Sequence, residues 1–297
     1  MRVFVTGASG FIGSAVVREL IDSGHDVLGL ARSDAAAKAV ASAGARVLRG
    51  TLEDLEGLAS GAAESDGVVH TGFNHDFTRF KENCEVDRRA IEALGAALIG
   101  TARPLIVTSG VGLLPQGQLA TEESVPPASS ANPRIASEEA ARAIAARGVR
   151  ISVVRLAPSV HGDGDHGFVP ILVGIARRTR LSAYVGQGFN RWPAVHRLDA
   201  ARLFRLALEK AGDPAYYHGV DEEAVEFREI AEVIARRLNI PLASVSETEK
   251  ASHFGWFTHF AELDIPASSE QTRRALGWIP THAGLLADID RPTYFAE

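Results

Sequence analysis

The chain has a single cysteine, Cys84, in 297 residues. An internal disulfide and a thiolate-rich metal centre are therefore excluded, and the composition suits a reducing compartment, the cytoplasm. Basic residues are in the minority, with 31 lysines and arginines against 37 acidic side chains and a formal charge of -6. That balance supplies no field for nucleic acid or anionic lipid, so a small-molecule partner is expected. No stretch reaches the roughly 18 uninterrupted apolar residues of a membrane span. The opening Met1-Arg2-Val3-Phe4-Val5 runs at once into Thr6 and Gly7 instead of the long apolar stretch of a signal peptide. Tyrosine is scarce too. None of Tyr184, Tyr216, Tyr217 and Tyr294 is followed four residues later by lysine.

What is present is 46% hydrophobic residues, enough to bury a full α/β core. Short β-branched runs alternate with Ala-rich stretches, the rhythm of a parallel sheet covered on both faces. Strands are predicted at Arg2 to Thr6, Asp26 to Leu30, Arg46 to Leu48, Gly67 to His70, Leu105 to Thr108 and Ile151 to Arg155. Helices are predicted at Phe11 to Ser23, Ala35 to Ala43, Leu52 to Ala59, Asn83 to Ile99 and Pro133 to Ala146. The Pro- and Ser-rich stretch Leu114 to Pro133 reads as a loop over the carboxyl ends of the strands, a candidate lid. After Arg155 the rhythm loosens into a loop from Ala157 to Gly167, a helix from Val169, a strand near Leu181 to Val185, and helices Ala200 to Ala211 and Phe227 to Leu238. The expected organisation is a doubly wound parallel core over residues 1–160, rejoined by segments near 195–235. A smaller substrate lobe is expected from 161–194 and 239–297.

Directly after the first strand comes Thr6-Gly7-Ala8-Ser9-Gly10-Phe11-Ile12-Gly13, three glycines three apart, opening into an amphipathic helix. The first glycine allows a tight turn, the second lets backbone approach a pyrophosphate, and the third lets helix and strand pack closely. The helix terminus supplies N–H donors and positive potential. Strand, loop and helix together point to a Rossmann dinucleotide site. An NAD-preferring site places a carboxylate at the end of the second strand. Here that strand ends Ala31-Arg32-Ser33, and Arg32 and Ser33 suit the extra 2′-phosphate of NADP(H). Asp34 is expected to cap the next helix.

In these residues and several others the chain resembles the extended short-chain dehydrogenase/reductase family, the epimerase/dehydratase-like group, over nearly its whole length. The Thr6 to Gly13 loop, Val68-Val69-His70-Thr71-Gly72, Thr108-Ser109-Gly110, Arg155 to Gly162, Val195 to Ala201 and Leu276-Gly277-Trp278-Ile279-Pro280 are similar to family motifs and follow in the same order. The resemblance implies that Thr71, Gly72, Thr108, Pro158 and Val160 border the cofactor and that the position of the active-site hydroxyl falls in one register on Ser109, the preferred choice, and in the other on Gly110, which also lies within reach of substrate. It also implies a proton donor that is missing. Where the family has a tyrosine four residues before a lysine, this chain reads Arg134-Ile135-Ala136-Ser137-Glu138. Arginine has no proton to give, and Arg134 with Glu138 is expected to form an i,i+4 pair on a helix surface.

A replacement acid is sought in His161-Gly162-Asp163-Gly164-Asp165-His166, where a carboxylate beside an imidazole would raise its pKa. His161 is the first choice and His166 the second, with turn capping by the aspartates and a His/Asp metal site as the competing readings. His75 and Asp76 are candidates for substrate binding, or for a helix cap, and His196 is expected to be buried and structural. Trp192 and Trp256, with the aromatic run His253 to Phe260, could line an apolar pocket or form core. Three functions remain open at this stage. They are an NADPH-dependent reductase of a carbonyl, C=N or C=C group in an apolar molecule, a non-catalytic NADP(H) sensor or scaffold, and a nicotinamide-dependent isomerase or lyase. A homodimer through the helices Asn83 to Ile99 and Pro133 to Ala146 would fit the resemblance.

Overall fold

A computed structural model describes residues 1–128, 131–210 and 216–296. Ser129 and Ser130 of the expected lid, and Ala211 of an expected helix, lie outside the described residues.

Twelve strands are described: β1 (Arg2–Thr6), β2 (Asp26–Ala31), β3 (Arg46–Arg49), β4 (Gly67–His70), β5 (Leu105–Gly110), β6 (Ile151–Leu156), β7 (Ser159–His161), β8 (Ser182–Val185), β9 (Arg191–His196), β10 (Tyr216–Gly219), β11 (Glu222–Glu226) and β12 (Leu242–Val245). The longer helices are α1 (Phe11–Asp22), α2 (Asp34–Ser42), α3 (Leu55–Ala63), α4 (Phe80–Ala96), α5 (Ile135–Ala145), α6 (Phe168–Thr179), α7 (Arg197–Lys210) and α8 (Phe227–Leu238). Seven strands form a parallel sheet in the order β10-β6-β5-β4-β1-β2-β3. Its outermost member, β10, was not evident from the sequence, because Tyr216-Tyr217-His218-Gly219 shows neither alternation nor a β-branched run.

Alternation along β1 divides the core. Val3 and Val5 face a cluster with Val16, Leu20 and Phe204, whereas Phe4 faces one with Leu58, Ile91 and Leu94. Helices α1 and α7 pack together on the first face, and α4 and α5 on the second. Chain order reverses between β1 and β4, so the crevice beyond their carboxyl ends is where a doubly wound sheet receives a ligand. Gly7, Thr71 and Gly72 meet there.

The remaining strands form the three-stranded sheet β11-β9-β7 and the pair β12-β8. Helix α8 packs on α6, β8 and β11. The segment expected as a lid is pinned to the stretch from Pro266 to Thr272. Ala120 N–H donates to Pro266 O at 2.9 Å, Ser268 N–H donates to Ala120 O at 2.8 Å, and Glu122 accepts from Thr272. The outward faces of α4 and α5 carry Lys81, Glu82, Glu85, Arg89, Glu92, Glu139 and Arg142.

Candidate active site

The glycine loop is shaped by close backbone approach. Gly7 has φ +66°, and a Cβ there would stand 2.7 Å from Gly72 N. A Cβ on Gly13 would lie 2.0 Å from Gly7 O and 2.8 Å from Thr71 Oγ1, so the third glycine makes room for the loop's own carbonyl. Thr71 donates its hydroxyl to Thr6 O at 2.8 Å, which locks β4 to the loop. Helix α1 begins at Gly10 with no side chain capping its N–H groups and no acidic residue in its first turn. Ser9 and Gly10 are exposed, Phe11 and Ile12 half-buried. Arg197 braces this end, with its guanidinium 4.6 Å from the Phe11 ring centre and Nη2 donating to Ser14 Oγ at 3.0 Å. Uncapped donors, a nearby cation and a turn no side chain could fill fit a dinucleotide pyrophosphate.

At the end of β2, Arg32 is exposed and has no hydrogen bond or ion pair among the described residues. Ser33, and not Asp34, is the cap of α2, accepting from Ala36 N–H at 3.2 Å. Asp34 is the first helical residue and pairs with Arg49 at 2.7 Å. An aspartate one place inside the helix favours the helix dipole without capping it.

The expected surface pair of Arg134 and Glu138 is not formed, because the two side chains turn to different partners in the interior. Glu138 is 0% exposed and takes a two-pronged bond from Arg155, Nε to Oε1 at 2.8 Å and Nη2 to Oε2 at 2.9 Å. Ser109 donates its hydroxyl to the same Oε1 at 2.9 Å. Arg134 reaches across to α4, where Nη1 meets Asp87 Oδ2 at 2.6 Å and also Ser137, while Nη2 donates to Thr108 O at 3.0 Å. Its guanidinium lies 4.2 Å from the Phe73 ring centre.

The imidazoles separate. His161 lies on a strand and not on a flexible loop, 1% exposed, with Nδ1 2.8 Å from Asp288 Oδ2. Burial lowers its pKa despite that carboxylate, the opposite of the shift expected from its neighbouring aspartates, because desolvation penalises the imidazolium more than one carboxylate favours it. His166 is exposed and packs edge-on to Phe11 with ring centres 5.6 Å apart. His75 is exposed by surface area, and the Phe73 ring lies 5.1 Å away. Asp76 caps the turn Phe77–Arg79 by accepting from Thr78 N–H at 3.0 Å. Pro158, Val160, Thr108 and Gly110 are half-buried around the carboxyl ends of β5 and β6.

The two tryptophans part as well. Trp192, expected at substrate, is 0% exposed and packs against Phe227 and Phe168. Trp256 is 57% exposed and stacks on Phe77 at 5.3 Å. Phe73 and Phe77 both contact Phe80, which links the Arg134 end to Trp256 through a row of rings. His196 is half-buried and stacks on His282 at 4.6 Å and 9°, with Asp199 beside it. Ring-nitrogen lone pairs lie in the ring planes, and near-parallel planes give one cation no common point.

Burial pushes the Asp165 carboxyl up to about 6, although Gly167 N–H donates to it at 2.7 Å and the Tyr294 hydroxyl at 3.2 Å. The folded chain therefore binds a proton between about pH 4 and pH 6 that the unfolded chain does not, and stability falls as pH rises through that window. Asp165→Asn is expected to remove that slope in urea-midpoint measurements across the window, leaving the higher-pH limb level.

The profile of the NAD dependent epimerase/dehydratase family matches residues 3–218. The chain belongs to that family. An uncharacterized protein of Schizosaccharomyces pombe is 50% identical over 296 residues, covering 99% of this chain and 100% of the relative. The 2-alkyl-3-oxoalkanoate reductase of Stenotrophomonas maltophilia is 30% identical, over 70% of this chain and 66% of its own. Among solved structures, a UDP-glucose 4-epimerase of Thermus thermophilus in complex with NAD superposes with a TM-score of 0.75 at 21% identity, over 98% and 97% of the two chains. It shares the fold.

Within this family member, the residues that sequence reasoning missed are Asp87, His70 and Arg197. A signal for Asp87 existed. Cys84, Asp87, Ile91 and Leu94 fall on the buried stripe of α4, and a carboxylate on such a stripe demands a buried partner.

Proposed function

We propose that the chain is an NADPH-dependent reductase of a carbonyl, or a related C=N or C=C group, in a mostly apolar small molecule. The observation that carries this reading is the held guanidinium of Arg134 where the family's tyrosine would stand, at the inner end of an aromatic row. Gly7, Gly10, Gly13 and the α1 terminus would hold the pyrophosphate, and Arg32 with the hydroxyl of Ser33 would hold the 2′-phosphate. When bound, the nicotinamide supplies hydride. Arg134 cannot give a proton, but a guanidinium has five N–H donors, and its bonds to Asp87, Ser137 and Thr108 leave others to receive an oxygen on which negative charge develops. Phe73, Phe77, Phe80 and Trp256 offer an apolar wall and exclude water from that oxygen.

The proton donor in this reading is His166, whose ring is exposed beside Phe11. His161 is sealed behind Asp288 and does not serve. His75 is held neutral by the surrounding protein and by the Arg134 charge, both of which lower its pKa. Relatives such as the reductase of Stenotrophomonas maltophilia support a reducing over an epimerising role.

Two measurements test this. Arg134→Gln is expected to lower turnover of a ketone or aldehyde panel at least about 100-fold, the loss typical of one oxyanion donor, with NADPH affinity kept. Unchanged turnover would remove Arg134 from the chemistry. Arg32→Ala is expected to weaken NADPH binding about 10- to 100-fold and to leave NADH binding alone, since a charged hydrogen bond contributes about 1.5–3 kcal/mol. Equal effects on both cofactors would remove the 2′-phosphate assignment.

A further inference from the structure

The site of Arg134 is connected to the dinucleotide loop by an unbroken buried chain of polar groups. Gly72 N–H donates to Thr6 Oγ1 at 3.1 Å, Thr6 Oγ1 lies 2.7 Å from His70 Nδ1, and His70 Nε2 lies 2.9 Å from Asp87 Oδ1. Asp87 Oδ2 then takes Arg134 and the hydroxyl of Ser137. Thr6, His70, Asp87 and Ser137 are each no more than 1% exposed. Arg134 is the member that reaches the surface, its side chain 16% exposed.

The donor directions follow from the groups. Burial alone would push the Asp87 carboxyl up, but Arg134, His70 and Ser137 together hold it far below the usual carboxylate range, so it is ionised and only accepts. With His70 donating from Nε2, Nδ1 accepts from the Thr6 hydroxyl, which in turn accepts from Gly72 N–H. One tautomer satisfies every group, and it leaves Asp87 both oxygens committed and unable to rotate. A long flexible side chain such as arginine loses much rotamer freedom when ordered. Here that ordering is supplied from below by a carboxylate that touches neither solvent nor cleft.

We propose that Asp87 is a positioning residue. It aims the Arg134 guanidinium at the reacting oxygen, and through His70 and Thr6 it ties that aim to the backbone under the dinucleotide loop. This rests on the reading of Arg134 given above. Asp87 itself meets no ligand, so its removal acts on the rate step and on the guanidinium's mobility and leaves cofactor affinity in place. Asp87→Asn is the informative change, because the amide oxygen still accepts from His70 while the charge that anchors Arg134 is gone.

The experiment compares wild type, Asp87→Asn, Arg134→Gln and the double variant. Readouts are kcat and KM on the ketone panel, NADPH dissociation constants, and side-chain nitrogen NMR of the arginines, with the Arg134 signals assigned by their loss in Arg134→Gln. The expected result is a fall in kcat of at least tenfold for Asp87→Asn with NADPH affinity within twofold of wild type. The double variant should be no slower than Arg134→Gln alone, since coupled residues are not additive. Separate Nη signals of Arg134 in the wild type should merge in Asp87→Asn as the guanidinium begins to rotate.

Multiplying effects in the double variant, or resolved Nη signals that survive in Asp87→Asn, would overturn the positioning role and leave the function of Arg134 standing. Full turnover in Arg134→Gln would instead overturn the reading of Arg134, and this proposal with it. Should no panel member be turned over, the NMR comparison still decides whether Asp87 holds the guanidinium. Parallel loss of NADPH binding and folding in Asp87→Asn would mark Asp87 as purely structural and contradict the proposal.

Discussion

Glu138→Gln should lower the unfolding free energy by about 3–5 kcal/mol, the cost of leaving one buried charge without its partner. The side chains of Arg155 and Glu138 are 1% and 0% exposed and meet through two parallel bonds. Arg155 also donates to Ser124 O at 2.9 Å and lies over the Tyr216 ring at 4.1 Å. With glutamine in place, the amide keeps one acceptor for Arg155 but turns a donor toward a donor, and the guanidinium keeps its charge in a medium that cannot solvate it. The loss is comparable with the whole stability of many domains, so the urea midpoint should drop steeply. The same reasoning makes Glu138→Lys, which would restore the family's lysine, more damaging still, since it sets two cations together in the core. By contrast the exposed pair Arg18–Asp22, with side chains 68% and 59% accessible, should contribute less than about 1 kcal/mol when broken. Equal midpoint shifts for the two disruptions would contradict the burial argument.

Gly13→Ala should lower dinucleotide affinity at least about tenfold, or 1.4 kcal/mol, and cost about 1–3 kcal/mol in stability through overpacking. The new Cβ would stand 2.0 Å from Gly7 O, and both sides of that contact are backbone, so neither can swing away. Relief requires α1 to slide outward or the Gly7 turn to open. Either movement displaces the uncapped N–H groups that would meet the pyrophosphate. A calorimetric titration with NADPH reads the affinity and a thermal melt the stability. Wild-type affinity in Gly13→Ala would mean that the dinucleotide does not lie on this loop.

The alternating core was legible because buried parallel strands and amphipathic helices write their periods into the sequence. Helix Phe227 to Leu238 shows this well, its bounds matching the structure to the residue. The glycine loop was legible for a similar local reason, since a turn that admits no side chain leaves glycine as the record. What could not be read were contacts made between distant segments. His161 looked like a loop imidazole because its partner, Asp288, is 127 residues away. Arg134 and Glu138 looked like a surface pair because spacing four apart is the local rule, while their true partners, Asp87 and Arg155, come from another helix and a strand. Trp192 and Trp256 are the same residue type, and only the fold shows that one is buried against Phe168 and Phe227 while the other is 57% exposed beside Phe77. The carboxylate of Asp87 on the buried stripe of α4 was the one legible clue to a buried charged partner.

The most direct test is label transfer from NADPH carrying deuterium at its transferable carbon, one epimer at a time. The chain is mixed with apolar ketones, aldehydes and enones, and the products are weighed by mass spectrometry. The expected result is deuterium in product from one epimer and not the other, with the rate collapsing in Arg134→Gln and surviving in His161→Ala. Tight NADPH binding with label retained from both epimers against every panel member would contradict a reductase and point to a chain that binds the cofactor without using it.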